Sequence, residues 1–273
     1  IMSNAQTTIE LNKFIKKFNS DLKKFLPKST NTLNKSINYS ILAGGKRFRP
    51  FLIYTFAKVL KVSPSNSIKI GIAVEMLHNY SLVHDDLPAM DNDKYRRGKK
   101  TTHYKYNEYT AILAGCGLLT LSYKMLSSSK LRLDSKIKAE LILALTKISG
   151  EGGLLQGQFE DLSNKKNTYN ERIHINTLKT GKLMSYCTES VGIAAKLTNK
   201  KINLLKKIGM NIGEIFQISD DFNDEPKMST KEKRYLEKYR DILYEQTLKL
   251  LKEANIKNLS VNHLLNYLMI LKV

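Results

Sequence analysis

The sequence predicts an all-helical chain, and three observations carry that prediction. Apolar residues recur at helical spacing through most segments between Leu11 and Leu271. No segment alternates apolar and polar residues over any length, so strands are not expected. Pro27, Gly44-Gly45, Pro64 and Pro88 fall where one periodic run gives way to the next. At 273 residues the chain is one large domain or two small ones, ample for a sizeable core. It is read as a single domain over 1–273. Residues 1–8, opening Ile1-Met2-Ser3-Asn4-Ala5, are set aside as disordered or foreign to the protein.

Each element has its own signal. Leu11, Phe14, Ile15, Phe18, Leu22 and Phe25 form one helical stripe that Pro27 closes. Residues 33–42 form a second helix, stopped by Gly44-Gly45, where glycine permits turns and close backbone approach. Lys46, Arg47 and Arg49 then converge on whatever sits there, either a diphosphate or bulk solvent. Residues 51–62 read as a helix ending near Pro64, and 66–87 as a long one. Helices follow over 111–125 and 133–148. The glycine-rich stretch 150–158 weakens a helix by about 1 kcal/mol per glycine relative to alanine, but lets it approach a cavity closely. Residues 163–168 are a polar loop. Residues 169–196 form one long helix with Lys179-Thr180-Gly181 in its middle. A glycine there, beside a lysine and a hydroxyl, implies a local break that presents donors to phosphate. Helices over 203–221, 231–254 and 259–271 complete the chain.

Composition bounds the function. No run of ~18 apolar residues occurs, so no membrane span is expected, and the N-terminus lacks a basic-then-apolar signal segment. Two cysteines, Cys116 and Cys187, stand outside any motif and fit a reducing, cytoplasmic compartment. The balance of 45 Lys+Arg against 25 Asp+Glu, a formal charge of +20, invites nucleic-acid binding. The lysines are scattered rather than gathered in a stripe, and no nucleic-acid-binding signature appears, so no nucleic-acid partner is expected.

Against that basic background, Asp85, Asp86, Asp91 and Asp93 crowd into nine residues, with Arg96-Arg97-Gly98 just behind. Carboxylates this close repel unless a positive charge sits among them. Mg²⁺ is held by one or two carboxylates together with substrate phosphates, and arginines offer bidentate donors to phosphate. A solvated acidic turn is the plainer alternative. The pattern returns in Gln217-Ile218-Ser219-Asp220-Asp221-Phe222-Asn223-Asp224. In a helix, at about 100° per residue, Asp220 and Asp224 share one face. Asp85 and Asp91 would not, but Pro88 disrupts the helix and biases Leu87 away from it. The helix is expected to end or bend near Leu87 and return Asp91 beside Asp85.

These two motifs resemble those of the trans-isoprenyl diphosphate synthases, and the Pro88-Ala89 insertion resembles the bacterial farnesyl type. Gly44-Gly45-Lys46-Arg47-Phe48-Arg49-Pro50, Arg96-Arg97-Gly98, Gly157-Gln158 with Asp161, and Lys179-Thr180-Gly181 fit the same family in the same order. The resemblance implies an isoprenoid synthase fold of roughly ten helices around a central cavity, and a homodimer. It implies Mg²⁺, three ions with Mn²⁺ able to stand in, held by Asp85, Asp86, Asp91, Asp220, Asp221 and Asp224. Isopentenyl diphosphate is then held by Lys46, Arg49, His78 and Arg97. The allylic diphosphate is held by Arg96, Lys179, Thr180 and Gln217. Asp85, Asp91, Lys179 and Asp220 are the expected catalytic set. The activity implied is head-to-tail condensation of isopentenyl diphosphate with dimethylallyl or geranyl diphosphate to give farnesyl diphosphate.

Tyr80 and Ser81 are expected to set product length. Ser81 lies one turn before Asp85 on nearly the same face, and Tyr80 lies about 7.5 Å from Asp85 along the axis. Two departures from the family stand out. Cys116 replaces an aspartate that commonly follows the glycine. After Asp224 the family continues with a long loop carrying a further lysine. Here residues 225–230 lead almost directly into a helix, so that loop is either lost or a mobile lid missing from the sequence as given. Lys227 and Lys231 would replace its lysine only in part. A terpene cyclase would lack the basic loop at Lys46 and Arg49. A non-catalytic partner subunit would have lost one aspartate motif. A helical scaffold would need neither.

Overall fold

The helix that carries the first aspartate cluster, α4 (Pro64–Asp85), is apolar on every side and is buried accordingly. Pro64 stands in its first turn, where a missing N–H costs nothing. The structure, a computed structural model, describes residues 2–163, 169–224 and 229–269, with side chains over 6–163, 171–222 and 229–269. Among these, thirteen α-helices, one π-turn and one small β-ribbon follow in order. They fall into two compact units, Leu11–Tyr54 with Pro64–Lys138, and Ile1–Glu10 with Thr55–Ser63 and Ala139–Val273.

In the first unit α4 packs along α6 (Glu108–Ser127), where Gly115 leaves room for the His84 ring. Nε2 of His84 lies 3.0 Å from the Ile112 carbonyl. Helix α2 (Thr32–Leu42) begins on Asn31, whose side chain accepts from the Asn34 N–H at 2.8 Å. Helix α1 (Met2–Lys23) contributes Phe14 and Phe18, stacked at 5.5 Å, and Phe14 lies 5.5 Å from Phe51 on α3 (Phe48–Val59). Gly71 of α4 lets Phe18 and Pro50 close in, since a Cβ there would meet both. By length and composition α6 could cross a membrane, which the sequence reading did not anticipate. In this unit it is a packing helix, with Ala111, Ala114, Leu118, Met125 and Leu126 buried.

The second unit centres on α10 (Lys182–Ala194), buried from Leu183 onward, lying along α11 (Asn199–Asp224). Tyr186 is wholly buried, and its hydroxyl donates to the Leu141 carbonyl of α7 (Ser135–Ser149) at 3.0 Å. Helix α12 (Thr230–Glu253) starts on Ser229, which accepts from the Glu232 N–H at 3.2 Å. Helices α8 (Leu154–Ser163), α9 (Tyr169–Asn176) and α13 (Leu259–Met269) complete it.

Helix α1 runs from Met2, and Thr7 is buried. One expectation changes, the absence of strands. Tyr95–Arg96 pairs antiparallel with Lys99–Lys100, with Gly98 at positive φ in the turn, and a one-turn helix α5 (Thr102–Lys105) follows. A ribbon two residues long has no alternation to read. The polar loop over 163–168 lies, beyond Ser163, outside the described residues. Phe18 has no exposed surface, so Phe18→Ala is expected to cost about 3–5 kcal/mol. Urea unfolding should show a lower midpoint with an unchanged slope.

Candidate active site

The first unit folds its basic loop by turning one cation inward. Gly44, Gly45 and Arg47 all have positive φ, at 106°, 131° and 48°. This path sends Arg47 into the core at 3% exposure, opposite Glu75 at 2%. Nη1 of Arg47 lies 2.5 Å from Glu75 Oε1, Nη2 donates to the Ile41 carbonyl at 2.6 Å, and Nε donates to Asn19 at 3.1 Å. Asn79 donates to the same Glu75 oxygen at 3.1 Å. Three cations were expected to converge outward, but Arg47 is structural. A carboxylate inside α4 cannot be buried without a partner, and Arg47 is that partner.

Lys46 stays exposed and Arg49 half-buried. Nη1 of Arg49 lies 3.2 Å from Nε2 of His78. A guanidinium can only donate, so Nε2 accepts and the ring proton sits on Nδ1. Burial, then Arg49, Arg97, Arg47 and Arg96, push the His78 pKa well below its ordinary value. His78 is therefore a neutral ring that orients Arg49. Arg97 joins the group from the ribbon: its Nη1 donates to the Gly44 carbonyl at 2.6 Å. A Cβ at Gly45 would collide with that guanidinium, which explains glycine there beyond its φ. The Gly44-Gly45 and Arg96-Arg97-Gly98 motifs thus form one cluster.

The aspartates follow at the C-terminal end of α4. The Asp91 N–H donates to the Asp85 carbonyl at 2.9 Å, so the chain doubles back at Pro88 as expected. Asp85 is half-buried and Asp91 exposed. Asp86 differs from them: it is buried, and its Oδ1 accepts from Arg96 Nε at 2.6 Å. Burial raises its pKa while Arg96 opposes the rise. Arg96 also reaches Asp93, at 3.4 Å. Part of Arg96 is therefore committed to carboxylates rather than offered to a phosphate. The cavity of about 30 Å³ lined by Asn79, Asp86, Arg96 and Arg97 has room for a water or two and none for a diphosphate.

Tyr80 and Ser81 are both buried in α4. The Ser81 hydroxyl donates to the His78 carbonyl at 2.9 Å. The Tyr80 ring meets His84 edge-on at 4.9 Å. Burial raises the Tyr80 pKa, with Cys116 and Asp85 adding to it, so its phenol lies in the field of the aspartate motif.

In the second unit the expected break is a π-turn, Thr177–Gly181, which joins α9 to α10. Glycines pack against it: a Cβ at Gly157 would press on Leu178 and Lys179, and one at Gly213 on the Gly181 Cα. Lys179 is paired with Asp161 at 2.5 Å, which joins the Gly157-Gln158 motif to the Lys179-Thr180 motif. Gln158 is buried, and neither polar atom of its amide has a hydrogen-bond partner among the described residues. Thr180 donates to Gln217 Oε1 at 3.2 Å, and Gln217 Nε2 donates to Asp221 Oδ1 at 2.8 Å. Asp220 and Asp221 are half-buried at the end of α11. The side chain of Asp224 and all of Lys227 lie outside the described residues. Lys231 stands in the first turn of α12.

Among the described residues no three His, Cys, Asp or Glu side chains are grouped so as to hold a metal ion by themselves. The donor set is nevertheless hard oxygen, few ligands at a time, beside cations suited to phosphate. That suits Mg²⁺, which keeps waters and shares substrate phosphates rather than filling a dedicated cage. Sequence reasoning missed Glu75. Its signal was a single acid within the apolar run of α4, since buried acids are rare unless paired.

A family model described as Polyprenyl synthetase matches residues 30–254. The chain is 44% identical over 207 residues to a farnesyl diphosphate synthase of Micrococcus luteus, covering 74% of this chain and 69% of that one. It is 40% identical over 200 residues to a farnesyl diphosphate synthase of Bacillus subtilis, covering 71% and 67%. A crystal structure of a geranyltransferase from Legionella pneumophila superposes with a TM-score of 0.87 at 31% identity, covering 98% of this chain and 97% of that one.

Glu75→Ala would leave the Arg47 guanidinium buried without its carboxylate, and is expected to cost about 3–5 kcal/mol. Glu75→Gln, which keeps a hydrogen-bond acceptor, should cost less. Denaturant unfolding of the two variants checks this order.

Proposed function

Because this chain belongs to the polyprenyl synthetase family, we propose that it is a Mg²⁺-dependent trans-prenyltransferase making (2E,6E)-farnesyl diphosphate. It joins isopentenyl diphosphate head-to-tail to dimethylallyl and then geranyl diphosphate. One observation supports this above the rest: a single helix, α4, bears both the carboxylates for one diphosphate and His78, which holds Arg49 of the cation group for the other. His78, beside Arg49, and Asp85 are seven residues apart on α4, roughly 10 Å at 1.5 Å per residue. Two diphosphates with linked hydrocarbon ends need two such stations.

Lys46, Arg49 and Arg97 bind the isopentenyl diphosphate, and neutral His78 orients Arg49 and offers its Nδ1–H. Asp85, Asp91, Asp220, Asp221 and Asp224 supply metal ligands, and Asp86 does so with the oxygen that Arg96 leaves. Mg²⁺ held there, as three ions or with Mn²⁺ in their place, would supply the positive charge that a departing diphosphate needs. Lys179, Thr180, Gln217 and the uncommitted part of Arg96 hold the allylic diphosphate and stabilise its charge as the carbon–oxygen bond breaks. The terminal alkene carbon of isopentenyl diphosphate attacks the allylic cation. The resulting cation loses a proton to the released diphosphate. Exclusion of water protects the cation.

The two units act as one synthase domain over 1–273 in this reading. An exposed stripe on α6, with Tyr109 at 68%, Leu113 at 51% and Ile112 at 44%, supports a homodimer. Cys116 and Cys187, both in the thiol form, support a cytoplasmic location. A geranyl or geranylgeranyl product, or a non-catalytic subunit, is the alternative reading. Lys46 and Arg49 argue against a terpene cyclase.

Incubation with dimethylallyl and isopentenyl diphosphates and Mg²⁺ should yield a C15 product by chromatography after dephosphorylation. Absence of any condensation would overturn the reading. Asp85→Ala and Asp220→Ala should each lower turnover by orders of magnitude with the fold retained. Tyr80→Ala should lengthen the product and Ser81→Phe should shorten it toward C10. Unchanged product distributions in both would remove the chain-length assignment.

A further inference from the structure

We infer that Glu214 is a positioning residue for the allylic diphosphate, acting through Thr177 on the π-turn that carries Lys179 and Thr180. The inference rests on the proposed prenyltransferase reading for its substrate and on geometry for its mechanism.

A π-turn is a rare interruption of a helix and is frequently found at functional sites. Here the Lys182 N–H closes on the Thr177 carbonyl, so one extra residue is accommodated within the turn. An α-helical continuation would rotate Lys179 and Thr180 away from their present directions, so something must hold the turn in register. One helical turn of α11 does this at three points. Glu214 Oε1 accepts from the Thr177 hydroxyl at 3.2 Å, at the turn's first residue. Gly213 lets α11 approach Gly181, at its last residue. Gln217 accepts from Thr180, between them, at 3.2 Å. The Thr177 hydroxyl has a single proton, shared between Glu214 and the Ile173 carbonyl at 2.9 Å. That three-centre bond is weak alone and depends on Glu214 staying where it is.

Tyr239 keeps it there. From α12, its hydroxyl donates to Glu214 Oε2 at 2.7 Å. Burial and the Glu214 carboxylate push the phenol pKa well above its ordinary value, so the hydroxyl remains a donor throughout the working range. The chain Tyr239–Glu214–Thr177 thus braces the start of the π-turn, while Gln217 links its middle to Asp221. Four positions of α11, Gly213, Glu214, Gln217 and Asp221, therefore fix the lysine and threonine donors relative to the second aspartate motif. Neither Glu214 nor Tyr239 belongs to a motif visible in the sequence.

The test compares Glu214→Ala, Glu214→Gln and Tyr239→Phe by steady-state kinetics and by amide hydrogen exchange over residues 177–182. Glutamine keeps an oxygen for Thr177 and an N–H for the Tyr239 oxygen, so it should retain kcat within about threefold. Alanine should lower kcat about tenfold or more, as a misplaced donor does, with KM for isopentenyl diphosphate unchanged. It should also speed exchange over 177–182, and Tyr239→Phe should fall between the two. Loss of kcat without faster exchange, or faster exchange without loss of kcat, overturns the inference. So does an equal effect of alanine and glutamine, or a parallel rise in the isopentenyl KM. If the unaltered protein condenses no substrate, the prenyltransferase reading fails, and the exchange comparison still decides whether Glu214 braces the turn.

Discussion

The buried pair of Arg47 and Glu75 is the constraint on which the first unit's chemistry depends. Glu75 sits on α4, three residues before His78 and ten before Asp85. Arg47 sits beside Lys46 in the loop that leads into α3, whose first turn carries Arg49. Joining the two at 2.5 Å ties the basic loop to the helix that bears the first aspartate motif. Such a pair adds little net stability, because both charges have lost their water. Its effect is positional: with Arg47 held inward at positive φ, Lys46 is left exposed and Arg49 is brought to His78. The neutral imidazole then accepts from Arg49 in a region already crowded by Arg96 and Arg97.

The second unit solves a similar problem with one lysine, neighbouring neutral donors and helix geometry. Two diphosphates in one reaction need separate stations, and a flexible lysine alone is a poorly aimed charge. The π-turn presents Lys179 and Thr180 from the backbone, and Asp161 holds the ammonium at 2.5 Å. Gly157, Gly181 and Gly213 permit the close packing that the turn requires. Glycine in helices costs stability, and here that cost accompanies the site.

Much of this was legible in the sequence. The periodicity marked the helices, and Pro88 implied the reversal that brings the Asp91 N–H to the Asp85 carbonyl. Gly181 implied the break, though not its π form, because residue identity does not distinguish a kink from an inserted residue. The direction of individual charges was not legible. Lys46, Arg47 and Arg49 look alike in a string of letters, and only burial separates the structural one from the others. Asp86 and Asp85 are adjacent carboxylates, yet one accepts from Arg96 in a buried position and the other stays half-exposed. The ribbon around Gly98 was too short to show a period. Glu214 and Tyr239 are brought together from α11 and α12, a pairing that no local pattern encodes.

In the proposed reading, the carboxylates at Asp85 and Asp91 share Mg²⁺ with a substrate diphosphate rather than hold a metal by themselves. Thermal unfolding with Mg²⁺ alone, with an unreactive thiolo analogue of dimethylallyl diphosphate alone, and with both together tests it directly. A ligand that binds only the folded state raises the midpoint according to its affinity. Together, metal and analogue should raise the melting temperature by several degrees, well beyond the sum of their separate effects, and Asp85→Asn should abolish the excess. A full rise with Mg²⁺ alone, or no excess with both, would contradict it.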